Sequence, residues 1–130
     1  MKLYLKNNTY LYILKLIFIM EKYKVYHSKS FDKELSKFDE NFLYRIDKIE
    51  DKLKENSQYG NPLGYKWFRE TRYENYRIYY IIYEDLKSVY MVAISDKKDQ
   101  QKVINTIKLF FSIFRKEIEN LVNDDKSEII

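Results

Sequence analysis

Three neighbouring runs of strand-like composition constrain the fold more than any other feature of this chain. They span residues 65–71, 75–84 and 88–95 and are rich in tyrosine, isoleucine and valine. Short polar turns at residues 74–75 and 85–87 join them, and strands joined by such turns pair antiparallel. The segment therefore predicts an antiparallel three-stranded meander. The third run is apolar on both faces, so we expect it inside the sheet and covered on both sides.

The segment before the meander predicts one strand followed by a helical hairpin. Residues 23–27 alternate as a strand does, and Ser28 or Ser30 can cap a following helix. The next apolar residues step by three and four positions, the spacing of one helical face: Phe31, Leu35, Phe38, Phe42, Ile46, Ile49 and Leu53. We expect a helical hairpin over about residues 29–56. A loop over residues 56–64 should follow, because it contains both glycines and the only proline.

Helical periodicity returns after Lys97. The apolar stripe there consists of Val103, Ile107, Phe110, Phe114, Ile118 and Leu121. We predict one C-terminal helix and a polar tail over residues 123–130 that frays. The predicted fold class is therefore α+β, with an N-terminal strand, a helical hairpin, an antiparallel three-stranded meander and a C-terminal helix.

The first nineteen residues differ from the rest of the chain. Residues 10–20 are apolar, but the run is short and contains Lys15, whereas a membrane span needs about 20 apolar residues. No small-residue cleavage site of a signal peptide follows it. We interpret residues 1–19 as an extension, or as sequence upstream of a natural start at Met20, and residues 20–122 as the domain. The expected location is cytoplasmic, without stable membrane insertion; the alternative is a segment that touches a membrane.

Composition excludes several classes of site. The chain has no cysteine, so it has no disulfides, thiolate metal sites or cysteine nucleophiles. Its single histidine, His27, cannot form a histidine cluster, and we expect it to be a structural or surface residue and not a catalytic base. No acidic pair suggests a glycosidase or a metal site, so we expect neither metal nor cofactor. The net charge of +4 favours an anionic partner, such as nucleic acid, an acidic protein or a membrane surface.

Four short motifs follow one another in a fixed order. They are Gly-Asn-Pro-Leu-Gly at residues 60–64, Trp-Phe-Arg-Glu-Thr-Arg at 67–72, Asn-Tyr-Arg-Ile-Tyr-Tyr at 75–80 and Val-Ala-Ile-Ser-Asp-Lys-Lys-Asp at 92–99. With the element order, they resemble the RelE/ParE toxin superfamily, in which a Gly-Pro loop precedes a hairpin and an apolar strand ends in a basic cluster. The resemblance covers about residues 22–108.

The resemblance implies the toxin of a type II toxin–antitoxin system, with a small acidic antitoxin as its partner. RelE-like members are mRNA endoribonucleases that act on the ribosome without metal and inhibit translation, because the 2′-hydroxyl of the substrate attacks the adjacent phosphate. ParE-like members bind DNA gyrase and cleave nothing. A degenerate toxin that acts only as a binding module is the third alternative.

The resemblance also implies a catalytic set of Arg77 with Lys97 or Lys98. A guanidinium suits this chemistry because its fork matches two phosphate oxygens and keeps its charge. RelE-like nucleases often carry an arginine in the later cluster and a tyrosine after it, whereas this chain has lysines there and no such tyrosine. The structural alternative for Arg77 is a salt bridge to Glu70 or Glu74.

Basic and aromatic residues near Arg77 are candidates for RNA binding. Lys66, Arg69 and Arg72 would extend a basic track along the neighbouring strand. Trp67 and Tyr79 are candidates for stacking on bases. Packing within the protein is the alternative role for each aromatic residue in so tyrosine-rich a chain.

Overall fold

The computed structural model describes residues 8–16 and 22–129. Residues 8–16 are helical and exposed, whereas the expected start at Met20 lies outside the described residues. The other elements are β1 (Lys24–His27), α1 (Lys29–Leu35), α2 (Glu40–Glu55), β2 (Asn61–Tyr65), β3 (Phe68–Tyr73), β4 (Tyr76–Tyr83), a 3-10 turn (Glu84–Leu86), β5 (Ser88–Asp96), α3 (Gln100–Leu109) and α4 (Phe111–Ile129). None of the described helices is long and apolar enough to cross a membrane.

The strands form one sheet in the order β1-β5-β4-β3-β2. β1 pairs parallel to β5, and the other neighbours pair antiparallel, so the predicted α+β class and meander are confirmed. The expected loop over residues 56–64 is wrong in its second half, because residues 61–65 form the edge strand β2. Pro62 lacks a backbone N–H, and an edge strand tolerates this because only one side of it is paired. A register shift between Pro62 and Tyr65 bends β2.

Helices cover both faces of the sheet. The face under α1 and α2 holds one buried cluster, which includes Phe31, Phe42, Ile46, Ile49, Leu53, Ile78, Tyr80, Ile82, Val89 and Met91. The face under α3 and α4 holds another, which includes Phe68, Tyr79, Ile81, Tyr90, Val92, Ile104, Ile107, Ile118 and Val122. β5 contributes to both clusters and lies between β1 and β4, as its apolar faces predicted.

Side-chain caps set the boundaries of the helical hairpin. The hydroxyl of Ser28 accepts a hydrogen bond from the backbone N–H of Phe31 at 3.0 Å, so Ser28 and not Ser30 caps α1. The carboxylate of Asp39 accepts one from Phe42 at 3.0 Å and begins α2. Such caps satisfy N–H groups that have no partner inside the helix. The hairpin predicted over residues 29–56 is confirmed.

The C-terminal region forms two helices instead of the single predicted one. The chain breaks at Phe110, whose φ of −103° and ψ of 8° end α3. α4 then continues to Ile129, so the polar tail predicted from residue 123 is helical as far as residue 129. One polar residue of this segment contacts the body of the fold, since the hydroxyl of Tyr26 donates to Asp125 at 2.5 Å. Val122, just before the segment, is buried.

His27 joins β1 to both helices of the hairpin. Its Nδ1 lies 2.7 Å from Oδ1 of Asp32, and its Nε2 lies 2.9 Å from Oε1 of Glu50. Burial of the ring opposes protonation, but the hydrogen bonds and negative charges of Glu50 and Asp32 outweigh it and raise the pKa of His27. The imidazolium form donates to both carboxylates, which is a structural role.

This arrangement predicts a pH-dependent stability. Because the pKa of folded His27 is raised above its ordinary 6.5, its contribution is fully present below pH 6.5 and is lost as the pH rises through the folded pKa. We expect the free energy of unfolding, measured with urea, to fall across that window in the wild type. His27→Gln should flatten the dependence. An unchanged pH dependence in this variant would contradict the assignment.

Candidate active site

Arg77 lies where β4 begins and β5 ends, on the sheet face under α3 and α4. In the register of the sheet it stands opposite Arg72 of β3 and Ser95 of β5. Alternation along β4 puts Tyr79 on the same face and Ile78 and Tyr80 on the other, as the sequence predicted. This end of the sheet therefore brings together polar side chains from three strands.

The guanidinium of Arg77 is buried and has few partners. Arg77 is 5% exposed, and its Nη1 donates to the carbonyl of Tyr76 at 3.3 Å. Its Nε is buried without a hydrogen-bond partner. The alternative salt bridge to Glu70 or Glu74 does not occur among the described residues. A buried cation without a partner is unfavourable, so an anion that reached this guanidinium would gain charge-assisted hydrogen bonds.

Glu70 is a candidate functional residue that the sequence reasoning considered only as an ion-pair partner. It is 3% exposed and stands opposite Tyr79 in the register, two pairs along the sheet from the pair of Arg72 and Arg77. Its Oε2 accepts a hydrogen bond of 2.8 Å from Nε2 of Gln100, at the start of α3. Alternation along residues 68–73 could have indicated that Glu70 shares a face with Arg72. The site thus contains a buried carboxylate on the same face of the sheet as the buried guanidinium of Arg77.

The structure corrects the expectation for Tyr79. Its ring is completely buried, and its hydroxyl lies 2.8 Å from the hydroxyl of Ser95. Since Ser95 in turn donates to the carbonyl of Asp96 at 2.9 Å, Tyr79 is the donor to Ser95. Burial raises the pKa of Tyr79, so the phenol stays protonated. Tyr79 therefore belongs to the core and cannot stack on a base in this conformation.

Lys97 and Lys98 lie at the same end of the sheet as Arg77. Both side chains are exposed, in the turn between β5 and α3. The backbone N–H of Lys97 donates to the carbonyl of Asn75 at 2.9 Å, which fixes this turn beside the start of β4. The structure thus places the three predicted catalytic residues in one region, with Arg77 buried and the lysines at the surface.

The predicted RNA-binding track is divided. Arg72 is exposed on the face of Arg77, but Arg69 points to the opposite face, is 8% exposed and donates to the carbonyls of Lys66 at 3.1 Å and Gly60 at 2.8 Å. Arg69 thus fastens the segment before β2. Lys66 and Trp67 lie beyond the other end of β3, which is about 13 Å long between Phe68 and Arg72. They are too far away to extend the surface around Arg77.

No metal site accompanies these residues in the part of the chain that the structure describes. There, no group of three or more histidine, aspartate and glutamate side chains is arranged to hold a metal ion. His27, Asp32 and Glu50 contact one another through hydrogen bonds, with both ring nitrogens engaged. The polar groups at the candidate site are therefore Arg72, Arg77, Glu70, Ser95, Gln100 and the two lysines.

The chain is similar in fold to solved RelE toxins. A double mutant of the E. coli toxin RelE in the free state matches with a TM-score of 0.60 and 13% identity over 69% of this chain and 99% of RelE. A chain of the intact E. coli RelBE toxin–antitoxin complex matches with a TM-score of 0.52 and 14% identity, over 57% of this chain and 95% of that chain. A chain of the RelBE2 toxin–antitoxin complex of Mycobacterium tuberculosis matches with a TM-score of 0.51 and 19% identity, over 58% of this chain and 91% of that chain.

These similarities establish the fold of the chain. No family model and no curated protein matches its sequence. The structural matches nevertheless cover nearly the whole of each toxin chain. Their sequence identities are 13–19%, so they show a shared fold and nothing more. The chain therefore has the RelE-like toxin fold, which confirms the resemblance found in its motifs.

Proposed function

We propose that this chain is the toxin of a type II toxin–antitoxin system and an mRNA endoribonuclease that inhibits translation in the cytoplasm. The observation that carries the proposal is the buried guanidinium of Arg77, which has a single hydrogen bond on the described part of the chain and lies on a RelE-like sheet. RNA brings the phosphate that such a group would bind. The net charge of +4 agrees with an anionic substrate.

The chemistry needs a proton acceptor, a charge stabiliser and a proton donor. The 2′-hydroxyl attacks the adjacent phosphorus and gives its proton to Glu70, while Arg77 stabilises the negative charge that develops on the phosphate oxygens. The bond from phosphorus to the 5′-oxygen breaks, and Lys97 or Lys98 donates a proton to that oxygen. The products are a 2′,3′-cyclic phosphate and a 5′-hydroxyl. Gln100 must release Glu70 before the carboxylate can act, because the two are hydrogen-bonded at 2.8 Å.

The proposed protein partner is a small acidic antitoxin. A groove of about 590 Å³ runs between α1, α3 and α4, and Val92, Ile107 and Phe114 line it. Phe110 and Ile113 beside it are 42% and 46% exposed, so an amphipathic helix has an apolar surface to contact. A RelE mutant is known in complex with an antitoxin peptide. α4 is held by buried Ile118 and by the bond from Tyr26 to Asp125, which favours docking beside this helix.

A non-nucleolytic, ParE-like toxin that binds DNA gyrase is the second candidate. The burial of Glu70 and Arg77 favours it, since an exposed catalytic pair would be easier for RNA to reach. The two functions predict different targets. A gyrase binder should stop supercoiling of plasmid DNA by purified gyrase, whereas a nuclease should leave supercoiling unaffected.

The deciding experiment is cell-free translation with the purified protein. We expect primer extension to show new 5′ ends within the translated part of the mRNA when no metal is added to the extract. The same mRNA without ribosomes should be cleaved far less. Growth arrest on expression without any cleaved mRNA, together with inhibited gyrase, would replace the nuclease with the second candidate.

A further inference from the structure

A second cleft lies at the end of the sheet opposite Arg77. It encloses about 670 Å³, and its walls include Lys66, Trp67, Tyr83, Glu84, Phe111 and Arg115. These residues come from the turn after β2, the end of β4, the 3-10 turn and the start of α4. The cleft shares none of its lining residues with the candidate active site, so it is a separate surface.

An exposed aromatic platform borders this cleft. The rings of Tyr65 and Trp67 stack with centroids 4.6 Å apart and planes inclined by 23°. Phe111 stands edge-on to Trp67 at 4.8 Å and to Tyr65 at 6.1 Å, which fixes their orientation. Tyr65 is nevertheless 46% exposed and Trp67 37% exposed. Clustered exposed aromatic rings mark binding surfaces, and flat exposed rings suit the stacking of a nucleobase.

The charges around the cleft are unequally engaged. Arg115 donates to both carboxylate oxygens of Asp85, at 3.0 and 2.6 Å, and lies over the ring of Tyr83. The side chains of Glu84 and Lys66 have no hydrogen bond or ion pair with any residue within 22–129 of the described chain. The cleft therefore offers a carboxylate and an ammonium group beside the platform.

We propose that this cleft binds the guanine base of a ribonucleotide, stacked on Trp67. The carboxylate of Glu84 would accept hydrogen bonds from N1–H and the N2 amine of guanine, whereas adenine presents an acceptor at N1. The ammonium of Lys66 would pair with the phosphate. A cationic peptide side chain would pair with Glu84 but would leave the ammonium of Lys66 without a partner. The inference rests on the proposed function only in naming RNA as the natural source of the guanine.

The cleft can be tested directly because Trp67 is the only tryptophan of the chain. Titration of the wild type with GMP should quench tryptophan fluorescence, with an affinity at least about tenfold higher than that for AMP, because AMP cannot make the two hydrogen bonds to the charged Glu84. Glu84→Gln should remove the preference for GMP. Glu74→Gln, which removes the same charge in the turn between β3 and β4, should keep it.

The outcome is independent of the cleavage assay. Arg77→Ala should quench with GMP as the wild type does, because Arg77 lies at the other end of the sheet. If GMP quenches the fluorescence of the wild type but the wild type does not cleave mRNA, the guanine site is supported and the nuclease proposal is overturned. Three results would overturn the proposed guanine site, whatever the cleavage assay shows. They are no quenching by GMP, equal affinity for GMP and AMP, and quenching only by an arginine-containing peptide.

Discussion

Replacing Arg77 by methionine is expected to lower the rate of mRNA cleavage about 10²- to 10³-fold, the usual effect of removing one group that stabilises charge in a transition state. Methionine keeps most of the volume of the side chain and removes the cation. Arg77→Lys should recover only part of the rate, because an ammonium cannot contact two phosphate oxygens as a guanidinium does. Primer extension on mRNA from a timed translation reaction measures both variants.

The stability of the Arg77 variant separates a functional role from a structural one. Arg77 makes one hydrogen bond, at 3.3 Å, among the described residues. Its removal should therefore change the free energy of unfolding by only about 1 kcal/mol. If Arg77 had a structural role, its replacement would lower the stability strongly. The remaining rate of cleavage would then be proportional to the fraction of protein that is folded.

Arg45 provides a matched control. Its Nε is also buried without a partner, but it lies on α2, with its guanidinium 5.6 Å from the ring of Tyr73. Arg45→Met removes the same charge on the opposite face of the sheet and should leave cleavage near the wild-type rate. Equal losses in the two variants would show that net charge, and not a site around Arg77, drives the activity.

The sequence predicts the central elements because their patterns are local and repeated. The alternation that puts Ile78 and Tyr80 opposite Tyr79 follows from the backbone of any strand, and the spacing from Phe31 to Leu53 follows from any helix. β2 was missed because a proline between two glycines signals a loop, while pairing with β3 depends on a distant segment. Tertiary contacts override such local signals.

The errors at the site have a related cause. Alternation assigns Tyr79 to a face but cannot show that α3 and α4 cover that face and bury its ring. The carbonyl of Gly60 receives the guanidinium of Arg69 across nine positions of sequence, which no spacing rule predicts. Gln100 reaches Glu70 over thirty positions. Side-chain partners at such distances depend on how the elements pack, so sequence patterns identified Arg77 but not the groups around it.

Gly60→Ala is expected to lower the free energy of unfolding by about 3–5 kcal/mol, the sum of backbone strain and overpacking. Gly60 has a φ of +96°, which disfavours any side chain, and an added Cβ would lie 2.5 Å from the carbonyl oxygen of Glu70. It would also collide with the hydroxyl of Tyr80, which donates to the carbonyl of Tyr59. Urea denaturation measures the change.

Gly64→Ala is the matched control for this prediction. Gly64 has a similar φ of +91°, but nothing lies within 4 Å of an added Cβ. Only the strain remains, so the loss should be about 1–2 kcal/mol. The difference between the two variants isolates the contact between the segment before β2 and the backbone of Glu70. Equal losses would mean that this segment is not packed against β3, and the position of Glu70 on that strand would lose one of its supports.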